Sequence, residues 1–159
     1  MKAVESEIRR RGRGFTLIEL VVTISIIAIL AAVALPRYIT LQVQARQAKA
    51  QAIYGGARAA SALAHALAFA TNQLAAATVS MEGVAVDMVN GYPAATNAGI
   101  ITALQLNAAN DQVTIAAGGG AVPLTIDVVG GTAGTCTISY TEAPAANTAP
   151  TINVATGGC

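Results

Sequence analysis

The chain has 159 residues, enough for one modest domain, and 54% of them are apolar although only 4% are aromatic. Its net charge of +1 combines five basic and two acidic side chains in residues 1–14 with four basic and six acidic ones in the remainder. No Lys or Arg follows Arg58, so the C-terminal part is weakly acidic, which argues against nucleic acid as a partner.

An apolar run from Phe15 to Leu35 follows the basic leader, contains one charged residue, Glu19, and stops at Pro36. As a helix it would be roughly 31 Å long, which is enough to cross the hydrocarbon core of a bilayer. The basic cluster before it predicts that the leader stays in the cytoplasm. Three interpretations remain open: a secretory signal cut after Ala34, an uncut membrane anchor, or a segment cut between Gly14 and Phe15.

Only the third interpretation gives Glu19 a purpose, because a lone charge in hydrocarbon otherwise costs a few kcal/mol. Cutting between Gly14 and Phe15 would create an amine at Phe15, and Glu19 lies four residues further along the same helix face. The carboxylate would pair with its own amine or with that of a neighbouring chain, and in the second case it would set the register of assembly.

Residues 13–19, RGFTLIE, closely resemble the processing motif of type IV prepilins and of the related type II secretion pseudopilins. The resemblance implies that a dedicated membrane peptidase cuts after Gly14 and methylates the new N-terminal Phe15. It further implies that Glu19 acts in assembly and that Pro36 is a helix-bending proline.

The residues after Pro36 favour continuation of the helix, because Ala, Gln, Leu and Arg are good helix formers and the next proline is Pro93. We therefore predict one helix from Phe15 to about Ala77, bent at Pro36 where a backbone donor is missing. Residues 15–35 form its membrane-spanning half and residues 36–77 its amphipathic half. The face expected to pack on a sheet comprises Leu63, Leu67, Ala70 and Leu74. His65 is interpreted as a packing residue rather than a ligand or catalyst.

Residues 78–159 are richer in Gly, Thr and Val, and they predict a small α+β head. A short strand is expected around Val84–Val89, and a short helix that begins at Thr96 or Asn97 and ends near Leu104. An antiparallel meander of about four strands should pack on the long helix. The predicted strands are Gln112–Ala117, Val122–Val129, Thr135–Thr141 and Thr151–Ala155.

The chain has two cysteines, Cys136 and Cys159. In an exported protein they most simply form one disulfide, and in a cytosolic protein they would be free thiols. Together with the single histidine they are too few for a zinc site, and we expect no metal or cofactor. The resemblance to type IV pilins, which have a similar C-terminal disulfide loop, favours the disulfide. Two short strings, YITLQ at 38–42 and NGYPAA at 90–95, resemble the mannose-sensitive haemagglutinin class of pilins.

The predicted function is that of a structural subunit of a type IV pilus and not of an enzyme; the alternative is a minor pilin or a type II secretion pseudopilin. The predicted partners are other copies of the chain, the prepilin peptidase and methyltransferase, the inner-membrane assembly machinery and, before assembly, the lipid bilayer. Residues 1–14 are the expected cytoplasmic leader. The head should lie in the periplasm first and on an extracellular filament that serves adhesion or motility afterwards.

Overall fold

The computed structural model describes residues 14–75, 77–146 and 148–159, so the predicted leader lies outside the described residues except for Gly14. The chain divides into two units, Met1–Thr40 and Leu41–Cys159. One long helix, α1 (Leu17–Ala70), begins in the first unit and ends in the second. The second unit adds two antiparallel sheets, which together with α1 confirm the predicted α+β class.

Helix α1 continues through Pro36, which therefore does not end it. The helix begins at Leu17 rather than at the predicted Phe15, because Thr16 precedes the first turn as its capping residue. The predicted bend at Pro36 stays a prediction.

The predicted end of the helix at Ala77 is wrong, since α1 ends at Ala70. Asn72 has a left-handed backbone with a φ of 56°. Around it, the Gln73 amide donates to the Ala68 carbonyl (2.7 Å) and the Asn72 amide to the Phe69 carbonyl (3.1 Å). These two bonds are the Schellman arrangement, in which a left-handed residue stops a helix and satisfies its last carbonyls.

The first sheet has three antiparallel strands in the order β1 (Thr78–Met81), β2 (Val84–Val89) and β3 (Tyr92–Pro93). The prediction identified β2 but neither neighbour. Two-residue turns with positive φ at both positions connect the strands, Glu82-Gly83 and Asn90-Gly91. Positive φ at both turn residues matches the right-handed twist of the flanking strands.

The segment after β3 forms a π-helical turn, Asn97–Ile101, and one α-helical turn, α2 (Thr102–Leu104), instead of the single short helix that was predicted. Thr96 caps this segment as expected, because its hydroxyl accepts a hydrogen bond from the Gly99 amide (3.0 Å). Gly99 lies so close to the Ala94 carbonyl oxygen that an added Cβ would overlap that atom. The close approach explains why the regular helix is interrupted here.

The second sheet is the predicted four-stranded antiparallel meander, with β4, β5, β6 and β7 side by side in chain order. Its pattern of burial alternates, and Ile126 on β5 lies directly opposite Ile138 on β6. The strands are β4 (Val113–Ala116), β5 (Leu124–Val128), β6 (Thr137–Thr141) and β7 (Thr151–Ala155).

The face that α1 buries in the second unit differs from the predicted one. Of the predicted positions, Leu67 and Leu74 are half-buried and pack against a core cluster. Leu63, in contrast, is 61% exposed, and Ala70 is exposed as well. The buried positions of the helix are small apart from one isoleucine: Ala50, Ile53, Ala57, Ser61, Ala64 and Ala68. Small side chains allow the helix backbone to approach the sheets closely, so the head supplies most of the large core side chains.

The disulfide between Cys136 and Cys159 is present, as predicted, with the two Cα atoms 4.8 Å apart. The segment that it fixes is also bound to α1, because Arg46 Nε donates to the Cys159 carbonyl (2.5 Å) and Gln47 Nε2 to the Thr156 carbonyl (3.3 Å). Backbone bonds between Gly158 and the segment 132–135 complete the attachment. The end of the chain is therefore tied both to the sheet and to the helix.

Candidate assembly site at the start of helix α1

Gly14 and Phe15 directly precede Thr16 and the first turn of α1, and both are exposed to solvent. The Phe15 side chain is 82% exposed. Among the described residues, a Cβ added at Gly14 would meet no atom within 4 Å, so their packing does not require a glycine there.

Thr16 and Glu19 form a reciprocal capping box around the helix start. Glu19 Oε2 accepts hydrogen bonds from the Thr16 backbone amide (3.0 Å) and from the Thr16 hydroxyl (2.6 Å). In return, the Thr16 hydroxyl oxygen accepts a bond from the Glu19 amide (3.3 Å). The box satisfies backbone donors that the helix cannot satisfy itself, and it places an anion where the helix dipole favours one.

Sequence reasoning identified Glu19 but missed Thr16. In the uncut chain the Phe15 nitrogen is part of a peptide bond, so the amine that was predicted to pair with Glu19 does not exist. Thr16 supplies the missing partner. The signal was present in the sequence, because Thr followed three residues later by Glu before an apolar run is the pattern of a capping box.

The helix surface after this cap is almost entirely apolar and lies outside any core. Its most apolar 18-residue window has a mean hydropathy of 2.7, and none of that window is buried. Length and composition suffice for this helix to cross a membrane. The side chains left uncovered include Leu17, Ile18, Leu20, Val21, Val22, Ile24, Ile26, Ile27, Ile29, Leu30, Val33 and Leu35. So large an exposed apolar surface requires lipid or other protein chains to cover it.

The hydroxyl groups of this segment are satisfied within the helix itself. Thr23 Oγ1 donates to the Glu19 carbonyl and Ser25 Oγ to the Val21 carbonyl, at 2.8 and 2.7 Å. Thr40 Oγ1 donates to the carbonyl of Pro36 (3.0 Å). Such bonds make polar side chains compatible with an apolar environment. The Glu19 carboxylate is the one charged side chain between Gly14 and Pro36.

The predicted site residues thus fall into two groups. Gly14, Phe15 and Glu19 lie together at the start of α1, whereas the Cys136–Cys159 disulfide belongs to the second unit. Within the part of the chain that the structure describes, no group of three or more His, Cys, Asp or Glu side chains could hold a metal ion.

Comparisons with known proteins found a matching family model and similar proteins. The family model described as the prokaryotic N-terminal methylation motif matches residues 9–35. The type IV narrow pilus major component PilA5 of Thermus thermophilus is 36% identical over 118 residues, which are 69% of this chain and 90% of that protein. The type IV major pilin protein PilA of Myxococcus xanthus is 48% identical over 46 residues, 29% of this chain and 21% of that protein. No solved structure gave a significant match.

A long apolar helix with a methylation motif at its start, followed by a small head of antiparallel sheets, is the architecture of the prepilin class. Because similarity to PilA5 extends over most of both chains, the chain belongs to the type IV pilin family. It is a structural subunit of a type IV pilus, as the sequence predicted, and members of this family are structural proteins. The resemblance to the mannose-sensitive haemagglutinin class stays a prediction.

Proposed function

We propose that this chain is a major pilin precursor that is cut after Gly14, methylated on Phe15 and polymerised through α1 into a surface filament. The observation that carries the proposal is the junction itself. An exposed Gly14–Phe15 segment stands directly before a capping box and an uncovered apolar helix. The partner that cuts and methylates would be the prepilin peptidase and methyltransferase of the inner membrane.

The uncovered helix surface supports a two-stage path. Before assembly, the bilayer covers the apolar side chains of residues 15–35, with the leader in the cytoplasm and the head in the periplasm. Inner-membrane assembly machinery then moves the subunit into the filament, where helices of neighbouring copies take the place of lipid. Exchange of one apolar environment for another lets the subunit leave the membrane without exposing this surface to water.

Glu19 gains a charged partner only after the cut. The new ammonium group at Phe15 of a neighbouring copy can form an ion pair with this carboxylate, in which both partners are charged, whereas in the bonds from Thr16 only the carboxylate is charged. Such a pair between copies fixes how far one subunit is displaced from the next. We propose this pairing as the determinant of register, and Pro36 as the position where the helix bends.

The cut site is tested by mass analysis of the mature N-terminus, which should start at Phe15 carrying one methyl group. A start at Leu35 or an intact Met1 would contradict the proposal. Gly14→Ala should leave residues 1–14 attached and block filament formation. Since its Cβ meets no atom within 4 Å among the described residues, an unchanged circular dichroism spectrum should accompany the loss.

Two substitutions separate the charge of Glu19 from its capping role. Glu19→Gln keeps an oxygen that can cap the helix but removes the charge, because Gln also serves in capping boxes. It should be cut normally but form few filaments. Thr16→Val is the matched control, since it removes the capping hydroxyl and keeps the charge, and its filaments should form. Normal filaments from Glu19→Gln would refute the charge-pairing role.

The proposal of a major rather than a minor subunit is supported by the two relatives, each of which is named as a major component or major pilin. The alternative roles, minor pilin or type II secretion pseudopilin, predict that the chain is scarce in purified filaments or absent from them. Quantitative mass spectrometry of sheared filaments distinguishes them. Adhesion or motility of cells that carry these filaments would follow from the same proposal.

A further inference from the structure

A polar groove runs along one side of α1 within the second unit, beside strands β3 and β7. Its volume is about 500 Å³, within the usual range for sites that bind small molecules. None of its residues takes part in the proposed cut at Gly14 or in the proposed assembly through α1. The side chains that carry the argument are Tyr54, Arg58, Ser61 and His65 from the helix, Tyr92 from β3 and Ile152 from β7.

One end of the groove is a rigid aromatic wall. The rings of His65 and Tyr92 are stacked, with centroids 4.1 Å apart and planes only 3° from parallel. His65 Nδ1 lies 2.8 Å from the Gly91 carbonyl oxygen. Because that oxygen can only accept, Nδ1 carries a proton, and Nε2 is free to act as an acceptor in the neutral ring. The stacking and the hydrogen bond together fix the orientation of this imidazole.

The other end carries a positive charge that the groove itself does not neutralise. The Arg58 guanidinium lies 5.7 Å from the centre of the Tyr54 ring, a distance at which a cation is attracted to an aromatic face. Among the described residues that line the groove, none is acidic. Arg58 and His65 are seven residues apart on the helix, so the groove is about 10 Å long between them.

Ser61 lies between these two ends and is only 2% exposed. No described group forms a hydrogen bond of normal geometry with its hydroxyl. The neighbouring Tyr140 hydroxyl donates to the Pro93 carbonyl, and its oxygen can still accept a hydrogen bond from Ser61. The floor of the groove is therefore polar at this point.

We propose that this groove binds a small organic carboxylate of about the size of a monosaccharide. Arg58 holds the carboxylate through its two parallel N–H donors, which match the geometry of the two carboxylate oxygens. The Tyr54 ring and Ile152 cover the apolar part of the ligand. His65 and Tyr92 form the opposite end, where hydroxyl groups of the ligand find hydrogen-bond partners.

The test uses the full chain in detergent micelles and two sugars of the same shape, glucuronate and uncharged glucose. Binding is followed by ligand-detected NMR with titration. Glucuronate should bind saturably with a Kd of about 1–10 mM, and glucose at least about tenfold more weakly. Absence of saturable glucuronate binding up to about 50 mM, or equal binding of glucose, would overturn the proposal.

Two variants separate the groove from general charge effects. Arg58→Gln removes the proposed carboxylate ligand at an exposed position and should weaken glucuronate binding about tenfold or more. Lys49→Gln removes one positive charge from the same helix outside the groove, and its Kd should stay within about twofold of the wild type. Equal loss in both variants would show that glucuronate responds to net charge, and the proposal would be wrong. Because neither variant touches Gly14, Phe15 or Glu19, filament formation provides a separate readout of the assembly proposal.

Discussion

Removal of the Cys136–Cys159 disulfide should lower the stability of the head by a predictable amount. The bond joins residues 23 apart in sequence. Closing a loop of that length restricts the unfolded chain and stabilises the folded one by about 3 kcal/mol. Domains of this size have a total stability of about 5–15 kcal/mol, so the bond supplies a large fraction of it.

The head should nevertheless stay folded without the disulfide, because other contacts hold the same segment. Strand β7 pairs with β6 over five residue pairs, and Arg46 and Gln47 bind the carbonyls of Cys159 and Thr156. We therefore expect the double variant Cys136→Ala/Cys159→Ala to unfold cooperatively at a melting temperature about 10–15 °C lower.

The assay is thermal unfolding of the full chain in detergent, followed by near-ultraviolet circular dichroism, which reports on the packing of the head. Reductant provides the matched control. It should lower the melting temperature of the wild type by a similar amount and leave that of the double variant unchanged. A double variant that melts within about 2 °C of the oxidised wild type would refute the reasoning, since it would mean that the disulfide adds almost no stability.

Two further predictions concern the packing of the head. Burial raises the pKa of Tyr140 above its usual value of 10.0. The contribution of this group to the free energy of unfolding should therefore be fully present below pH 10 and should be lost as the pH rises further. The loss should be at most about 1.4 kcal/mol per pH unit. Tyr140→Phe should lower the free energy of unfolding by about 1–3 kcal/mol at pH 8, because the Pro93 carbonyl loses its donor. In denaturant titrations between pH 8 and 11, the stability of this variant should fall less than that of the wild type. A pH dependence equal to that of the wild type would contradict the assignment. Gly99→Ala should destabilise the head strongly, because its Cβ would overlap the Ala94 carbonyl oxygen. The matched variant Gly55→Ala, in a helix interior with nothing within 4 Å, should instead gain about 0.5–1 kcal/mol, and equal effects of the two in the same titrations would contradict this account.

The sequence predicted those features of the fold that depend on local patterns. The four-stranded meander was predicted in the correct order because its strands alternate between more and less buried residues and connections rich in glycine or proline separate them. The type I′ turn at Asn90-Gly91 was also recognisable, because Asn-Gly is the usual sequence of such a turn. Strand β1 was missed because its hairpin turn, Glu82-Gly83, lacks the usual Asn or Asp.

The buried face of α1 was not predictable in the same way. Of the leucines expected to face the sheets, Leu67 and Leu74 are half-buried against the core. The fully buried positions of the helix are instead small side chains such as Ala57, Ala64 and Ala68. A helix rich in alanine offers several faces of similar hydrophobicity, so periodicity alone cannot choose between them. The helix end was missed for a related reason, since the left-handed Asn72 stops a helix whose propensity would allow it to continue.

The capping box changes how the role of Glu19 should be understood. A free carboxylate at the start of an apolar helix would be costly in a membrane, but the Thr16 hydroxyl and amide already satisfy it in the uncut chain. The cap therefore stabilises the subunit before assembly. Pairing of the Glu19 carboxylate with the ammonium group of a neighbouring copy must compete with these two hydrogen bonds. Hydrogen bonds to a charged group contribute about 1.5–3 kcal/mol each, so an ion pair in the apolar centre of a filament must outweigh that contribution to replace them. That competing amine exists only after the cut at Gly14, so assembly would require the cut. In an uncut subunit, Glu19 would stay bound to Thr16.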